Sequence, residues 1–464
     1  MDEVWWWGAA AIGRAVGRGE ITARAVVEAH LARVARCDPA IGAITVLFEG
    51  ALAEADRIDA RVRAGEVVGP LAGVPFTAKE NVDVAGHPTT HGVPHFRDAV
   101  AAADAPGVRR LRAAGAIPLG HSNMPDLAIA GNTTVSQLFG ETRNPWGAIR
   151  TPGGSSGGDA AATASGMVPL GLGNDSGGSL RLPAMYCGVA ALKPGFGALA
   201  QDHRVGGADP TLASQVFPVD GPMARSVGDL AVAFDVLSGR DVADPRTASP
   251  APRPLPPRRV ALCADPAGLG VHPQVRDQLQ RSAAALSDAG WEVAEAEPPR
   301  LADVLTSYGT LITAEFGLRW PRLRGLLTAE SARHMELSMQ QAPPADLETY
   351  LAATATRFGA MREWDAFAER YPVILGPVSA ERPFDVDPAE PDQQLRMMLA
   401  MRLCTATTCV GVPAVAVPTG VVDGQPLGVQ VVGPRHREDV CLAAAHDLEA
   451  AFGTTWPPIE GFSV

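Results

Sequence analysis

The sequence predicts an α/β fold, a β-sheet with helices packed on it, and three observations carry that reading. From Leu71 to about Gly239, short apolar runs alternate with Gly-rich turns and helical stretches. After a Pro-rich connector, strand-like runs flank a further helical stretch and return near the C-terminal end. The composition, 46% apolar and 19% charged over 464 residues, suits a chain with a sizeable core and excludes a largely disordered one. At about 150 residues per domain, the length allows up to three domains or one large one.

Taken in order, the chain begins with helices. Thr22 is placed to cap a segment in which Val26, Val27, Leu31 and Val34 share one helical face, and Ala51 to Val62 continues in the same style. Leu71 to Val84, punctuated by Gly73 and Pro75 and containing Lys79, predicts a half-buried strand and turn. A helix is expected over Asp159 to Gly166. Ser249 to Arg258 is a stiff, extended connector; beyond it Val260 to Ala264 and Trp291 to Ala294 read as strands around a helix from about Val275 to Ala289. Leu301 to Arg370 reads as helical with no catalytic spacing. Strands return at Val373–Leu375, Pro413–Pro418 and Gly428–Gly433, and no repeat of about 20 to 50 residues is evident.

Charge narrows the partners. With 51 acidic against 39 basic residues the net charge is −12, and no basic run interrupts the excess, so nucleic acid is not expected as a partner. No uncharged stretch of about 18 apolar residues predicts a membrane span, and the start, ending in Trp5-Trp6-Trp7, lacks the basic flank of a signal peptide. A cytoplasmic location is expected. The tryptophan triplet is expected to dock onto the core. Six scattered cysteines (37, 187, 263, 404, 409 and 441) contain no C-x-x-C pair and read as buried free thiols.

Of the 39 basic residues all but Lys79 and Lys193 are arginine. Arginine cannot be deprotonated in a protein, whereas a buried lysine can lose its proton and act as a base, so a site that kept lysine is a candidate for base chemistry. Lys193, before Pro194 and Gly195, reads as a turn residue. The densest signal is Gly153-Gly-Ser155-Ser156-Gly-Gly158 followed by Gly171-Leu-Gly-Asn-Asp175-Ser176-Gly177-Gly178-Ser179-Leu-Arg181. Glycines let N–H groups crowd around one atom, as an oxyanion hole requires.

Competing readings fit less well. Neither phosphate-binding glycine motif is present. Gly153-x-Ser155-x-Gly157 matches the nucleophile elbow of α/β-hydrolases, with His436 or His446 as third member, but the preceding Arg143 to Pro152 is a polar loop and not a strand. His87, His91 and His95 recur every four residues, yet Pro88, Gly92 and Pro94 would break the helix that a metal site of that spacing needs. No metal or cofactor is expected.

The stretch from Leu71 to about Gly239 resembles the amidase signature family. The resemblance is carried by the Gly153–Gly197 segment, Ala72-Gly-Val-Pro-Phe76, Thr142-Arg-Asn-Pro-Trp146, Cys187-Gly, Leu192-Lys-Pro194 and Asp220-Gly-Pro-Met-Ala-Arg-Ser226, with weaker similarity over most of the chain. It implies a mixed β-sheet core covered by helices on both faces and one domain over 1–464: N-terminal helices to about 65, a signature core over about 66–240, the connector 249–258 and a C-terminal α/β part over about 259–464. It also implies a Ser–cis-Ser–Lys triad, with Ser179 as nucleophile, Ser155 bridging in a cis peptide and Lys79 as base. The N–H groups of Ser176, Gly177, Gly178 and Ser179 would hold the oxyanion, and Ile129, Gly131 and Ser155 would meet the substrate. Ser156 reads as a turn serine, and Asp175 and Arg181 as braces of the loop.

The sequence departs from the family pattern at His121, where a lysine or arginine is common, and at Gly195, where threonine is usual. Phe196 to Pro218 lacks the pattern of the glutaminase component of the tRNA-dependent amidotransferase. The expected activity is hydrolysis of a small-molecule carboxamide through an acyl-enzyme. The alternatives are an acyl transferase using the same intermediate and a glutaminase-type subunit of an amidotransferase complex. A homodimer is compatible with the sequence, and the walls of the acyl pocket are expected from the 301–400 region.

Overall fold

The computed structural model describes residues 4–130, 132–202, 204–205, 207–249, 253–385 and 391–457. Strands β1 (Ile44–Leu47), β2 (Pro75–Lys79) and β3 (Ile117–Ser122) come first, followed by a separate ribbon of β4 (Val135–Ser136) and β5 (Gly140–Glu141). Next come β6 (Leu170–Asp175), β7 (Ala190–Lys193) and β8 (Val219–Ala224). The last five are β9 (Arg259–Leu262), β10 (Glu292–Glu295), β11 (Val373–Pro377), β12 (Ala414–Val422) and β13 (Gln425–Val432). Eleven of them form one sheet in the order β1-β3-β2-β6-β8-β7-β12-β13-β11-β9-β10.

The sheet is mixed. β3, β2 and β6 run parallel, as do β11, β9 and β10, and antiparallel strands join the two groups. The connector therefore links two stretches of a single sheet, because Ala414 to Ala416 of β12 pair with Lys193 to Ala191 of β7. Of the connector itself, residues 250–252 lie outside the described residues.

β2 and β6 are buried along their whole length, as expected of strands covered on both faces. Because they are parallel neighbours, with Phe76 opposite Leu170 and Ala78 opposite Leu172, Lys79 and Asp175 both emerge at the carboxyl edge, where open α/β sheets bind ligands. The helix between the two glycine clusters runs Gly157–Ala164, starting two residues before the expected Asp159. Packing overrides glycine's poor helix propensity here: a Cβ on Gly158 would stand 2.4 Å from the backbone nitrogen of Asn123, so only glycine lets the helix start so close to that loop.

Thr22 accepts the Ala25 N–H and caps the helix Ala23–Ile41. The 301–370 region forms three helices, Leu301–Leu323, Ala329–Gln341 and Leu347–Arg370. Leu301, Val304 and Leu311 of the first and Ala360 and Trp364 of the third pack with Ile374, Ala414 and Val432 of the sheet in a cluster separate from the main core. That anchors the first and third helices on the sheet.

Lys193 is not a turn residue. β7 continues up to Pro194, whose ring ends the ladder, so the side chain is buried and donates to the Val412 carbonyl at 2.7 Å and the Pro194 carbonyl at 3.1 Å. Trp5 lies against Gly166 under the Arg33 guanidinium, and Trp6 meets Trp456 edge-on at 3.9 Å, leaving Trp6 and Trp7 about two-fifths exposed. All six cysteines are buried and free.

Candidate active site

Lys79 ends β2 with its side chain wholly buried. Its Nζ lies 2.7 Å from Ser155 Oγ and donates to Asn174 Oδ1, also at 2.7 Å. Burial drives the amine from 10.5 down to about 7, against the pull of the Asp159, Asp175 and Asp220 carboxylates. Those acids weaken their own pull. Burial raises Asp220 to about 7 and Asp159 to about 6, the latter despite the hydrogen bond that Thr77 Oγ1 donates to it at 2.7 Å.

Ser155 follows a cis peptide bond from Gly154, and the segment before it is coil, without the strand that a nucleophile elbow needs. Ser156 ties this turn to the second glycine cluster. Its N–H donates to the Ser179 carbonyl at 3.1 Å and its Oγ to the Asn174 carbonyl at 3.1 Å, so one residue holds Ser155 beside both Lys79 and the Ser179 loop.

Asp175 and Arg181 form a buried ion pair that shapes the Ser176–Ser179 loop. Arg181 Nε and Nη2 each donate to the Asp175 carboxylate at 3.0 Å, and Arg181 also reaches Thr407, Gln430 and the Cys404 carbonyl. Burial would raise the Asp175 carboxyl, but the guanidinium and the loop's N–H donors outweigh it and hold the group well below the usual carboxylate range.

In this structure two of the four expected oxyanion donors are paired with Asp175. The Gly177 and Gly178 N–H groups donate to Asp175 Oδ1 at 3.1 and 2.7 Å, the second from a residue at φ +135° that glycine adopts without strain. Among the described residues, the Ser176 and Ser179 N–H groups have no protein partner. Tyr308 donates its hydroxyl to the Ser176 carbonyl at 2.6 Å and pins the loop to the helix Leu301–Leu323.

Ser176, Gly177 and Ser179 open onto a cavity of about 480 Å³. Ile129 is in its wall and also packs with Leu327, Ala332 and Met335, so it serves both lining and core; Gly131 lies outside the described residues. Leu127, Ala128 and Ala130 sit at φ 51°, 60° and 73°, a left-handed conformation rare for such residues and frequent at ligand-holding loops. Tyr308, Ile312, Phe316 and Leu323 line it as well, with Met335, Met398 and Met401. His91 also lines the cavity. His87 stacks on Phe48, whereas His91 and His95 both pack against Phe96, and no group of three metal-binding side chains exists among the described residues.

Asn174 and Asn81 belong to the site although no motif marks them. Asn174 Nδ2 donates to Asn81 Oδ1 at 2.8 Å, which turns its carbonyl oxygen toward Lys79. The one sequence signal is Asn174's place beside Asp175 in the second cluster.

The buried Lys79 amine beside Ser155, with Ser179 on the cavity, is the arrangement that the family resemblance implies for an amide-cleaving hydrolase. The chain belongs to the amidase family: the family model described as Amidase matches residues 25–442. It is 37% identical over 459 residues to an indoleacetamide hydrolase of Bradyrhizobium diazoefficiens, covering 97% of this chain and 87% of that one. It is 34% identical to a glutamyl-tRNA(Gln) amidotransferase subunit of Symbiobacterium thermophilum, covering 92% of each chain. Among solved structures, 6-aminohexanoate cyclic dimer hydrolase superposes with a TM-score of 0.84 at 29% identity over 98% of this chain and 99% of that one. A bacterial aryl acylamidase of the amidase signature family also gives 0.84, at 25% identity over 96% of each chain. The protein is an amide-hydrolysing enzyme. Among the described residues, no helix is long and apolar enough to cross a membrane.

Proposed function

We propose that the chain hydrolyses carboxamides with an apolar body through an acyl-enzyme on Ser179, with Lys79 as base and Ser155 as the relay. The observation that carries this is the buried Lys79 amine 2.7 Å from Ser155 Oγ. At about 7, roughly half of the amine is free base at neutral pH, against about 0.04% for an ordinary lysine. Its N–H is taken by Asn174, so the lone pair is left for the Ser155 hydroxyl.

In the first half-reaction Ser155 gives its proton to Lys79 and takes that of Ser179, whose Oγ bonds to the carbonyl carbon. The oxyanion is held by the Ser176 and Ser179 N–H groups, each contributing about 3 kcal/mol when well aimed. As the C–N bond breaks, the proton returns through Ser155 to the leaving nitrogen, which departs as ammonia or an amine. Water then loses a proton along the same relay and attacks the ester carbon. The carboxylic acid leaves, and Ser179 recovers its proton.

The cavity wall supports an apolar substrate body. Leucine, isoleucine, methionine and aromatic side chains are prominent in it. Phe196 to Pro218, the segment that departs from the amidotransferase pattern, supplies Arg204, Val205, Pro210, Ser214 and Pro218 to that wall. Six free cysteines fit a reducing, cytoplasmic setting.

The test is ammonia or amine release by the purified chain, with its size measured by exclusion chromatography, across aryl and alkyl amides and L-glutamine. Turnover of apolar amides by the chain alone is expected. Turnover of glutamine only, and only with an added partner, would overturn the reading.

A further inference from the structure

We propose that the cavity takes amides that also carry a carboxylate, separated from the scissile carbonyl by an apolar span, and that Arg319 reads that carboxylate. The proposal deepens the reading of this cavity as the amide site and rests on it.

The charge of the lining is opposite to that of the chain. The net charge is −12, yet among the described residues no aspartate, glutamate or lysine lines this cavity; its charged residues there are Arg204 and Arg319. His91 and His334 add no charge at neutral pH, since burial pushes each down to about 4. Arg204 is largely exposed and already paired with Asp202 at 2.6 Å. Arg319 is half-buried and has no partner among the described residues.

A guanidinium set in an apolar wall without a counter-ion forgoes the bidentate pairing it is shaped for, and a substrate carboxylate would supply it. Its position gives direction to the prediction. Tyr308, Ile312, Phe316, Arg319 and Leu323 recur on one face of the helix Leu301–Leu323 and all line the cavity. Tyr308 is bonded to the Ser176 carbonyl at the reacting end. Arg319 lies about 16 Å further along the helix axis, with its side chain leaning back toward that end. The two polar groups thus bracket Ile312 and Phe316, matching a substrate with an amide at one end, a hydrocarbon body and an anion at the other.

The test compares half-amides of α,ω-dicarboxylic acids with alkanamides of equal length, about four to fourteen methylenes long to bracket that separation. Ammonia release gives kcat/KM for each pair. We expect the wild type to prefer the acid by about tenfold or more at one intermediate length. In Arg319→Gln that ratio should fall toward unity, in Arg319→Lys it should survive in part, and in Arg319→Glu ω-amino amides should become preferred over the acids. A wild-type ratio near unity at every length, or one unchanged in Arg319→Gln, overturns the proposal while leaving the amidase reading intact. Labelling of Ser179 by a fluorophosphonate reports separately whether each variant keeps its reacting end. If the wild type neither labels nor releases ammonia from either series, the amide-site reading fails and the proposal falls with it.

Discussion

Asn174 Oδ1 lies 2.7 Å from the Lys79 amine, on the carboxyl edge of two parallel strands, and its amide is turned there by Asn81. A neutral amine that donates to a carbonyl keeps its lone pair for another partner, and the partner in reach is Ser155. In the proposed relay that pair leaves the Lys79 lone pair for the Ser155 hydroxyl.

Replacing that carbonyl with a carboxylate, Asn174→Asp, puts an opposite charge beside Lys79 and favours its charged form. The acidic limb of the kcat/KM–pH profile should move to higher pH by about one unit or more, with activity recovered in alkaline buffer. A purely structural role for Asn174 would lower activity at every pH alike. The profile measured from about pH 6 to 10 decides between them.

In the wild type the same limb should rise through about pH 7, where burial has brought Lys79. Stability carries the matching signature. The folded pKa is below the unfolded value of about 10.4, so between about 7 and 10 the unfolded chain binds the extra proton and stability rises with pH. Relative to Lys79→Met, the wild type should gain up to about 1.4 kcal/mol per pH unit across that window in urea unfolding. A flat difference would mean that Lys79 is charged in the fold.

Arg181→Met leaves the Asp175 carboxylate buried without its counter-ion. Unfolding free energy should fall by about 3–5 kcal/mol, and amide turnover should fall with it because Gly177 and Gly178 take their positions from Asp175. Denaturant titration with a parallel assay checks both.

Ser179→Ala and Ser155→Ala should differ in kind. The first removes the atom that bonds the acyl group, so turnover should fall by roughly 10⁴-fold or more with no trapped intermediate. The second leaves the nucleophile and removes its relay, so a slow acyl-enzyme should still accumulate with an activated ester. Quenched-flow mass analysis of the intact protein separates the two.

Much of the site is readable because its residues break the chain's own habits. Lysine survives at two positions in an arginine-rich sequence, and glycine clusters at two serine-bearing turns where backbone must crowd. The family resemblance then assigns Ser155 and Ser179 their roles. Other parts carry no such signal. Lys193 precedes a proline and looks like a turn, but a strand ending at proline leaves the same trace. Tyr308, Phe316 and Arg319 recur at helical spacing, which marks a helix face without saying whether it meets core or cavity. The left-handed Leu127, Ala128 and Ala130 contradict their residue types, so the folded surroundings and not local preference set that loop. Gly177 and Gly178 are readable as N–H donors; that Asp175 takes those donors depends on Arg181 being buried against Thr407 and Gln430, more than 200 residues away.

The relay from Ser179 through Ser155 to Lys79 is tested most directly by the site and stoichiometry of covalent modification by a fluorophosphonate, read by peptide mass spectrometry on the wild type and on Lys79→Ala. The expected result is one adduct per chain, on Ser179, in the wild type and its loss or severe slowing in Lys79→Ala. An adduct on Ser155 instead, or labelling of Ser179 at an undiminished rate without the lysine, would contradict the relay.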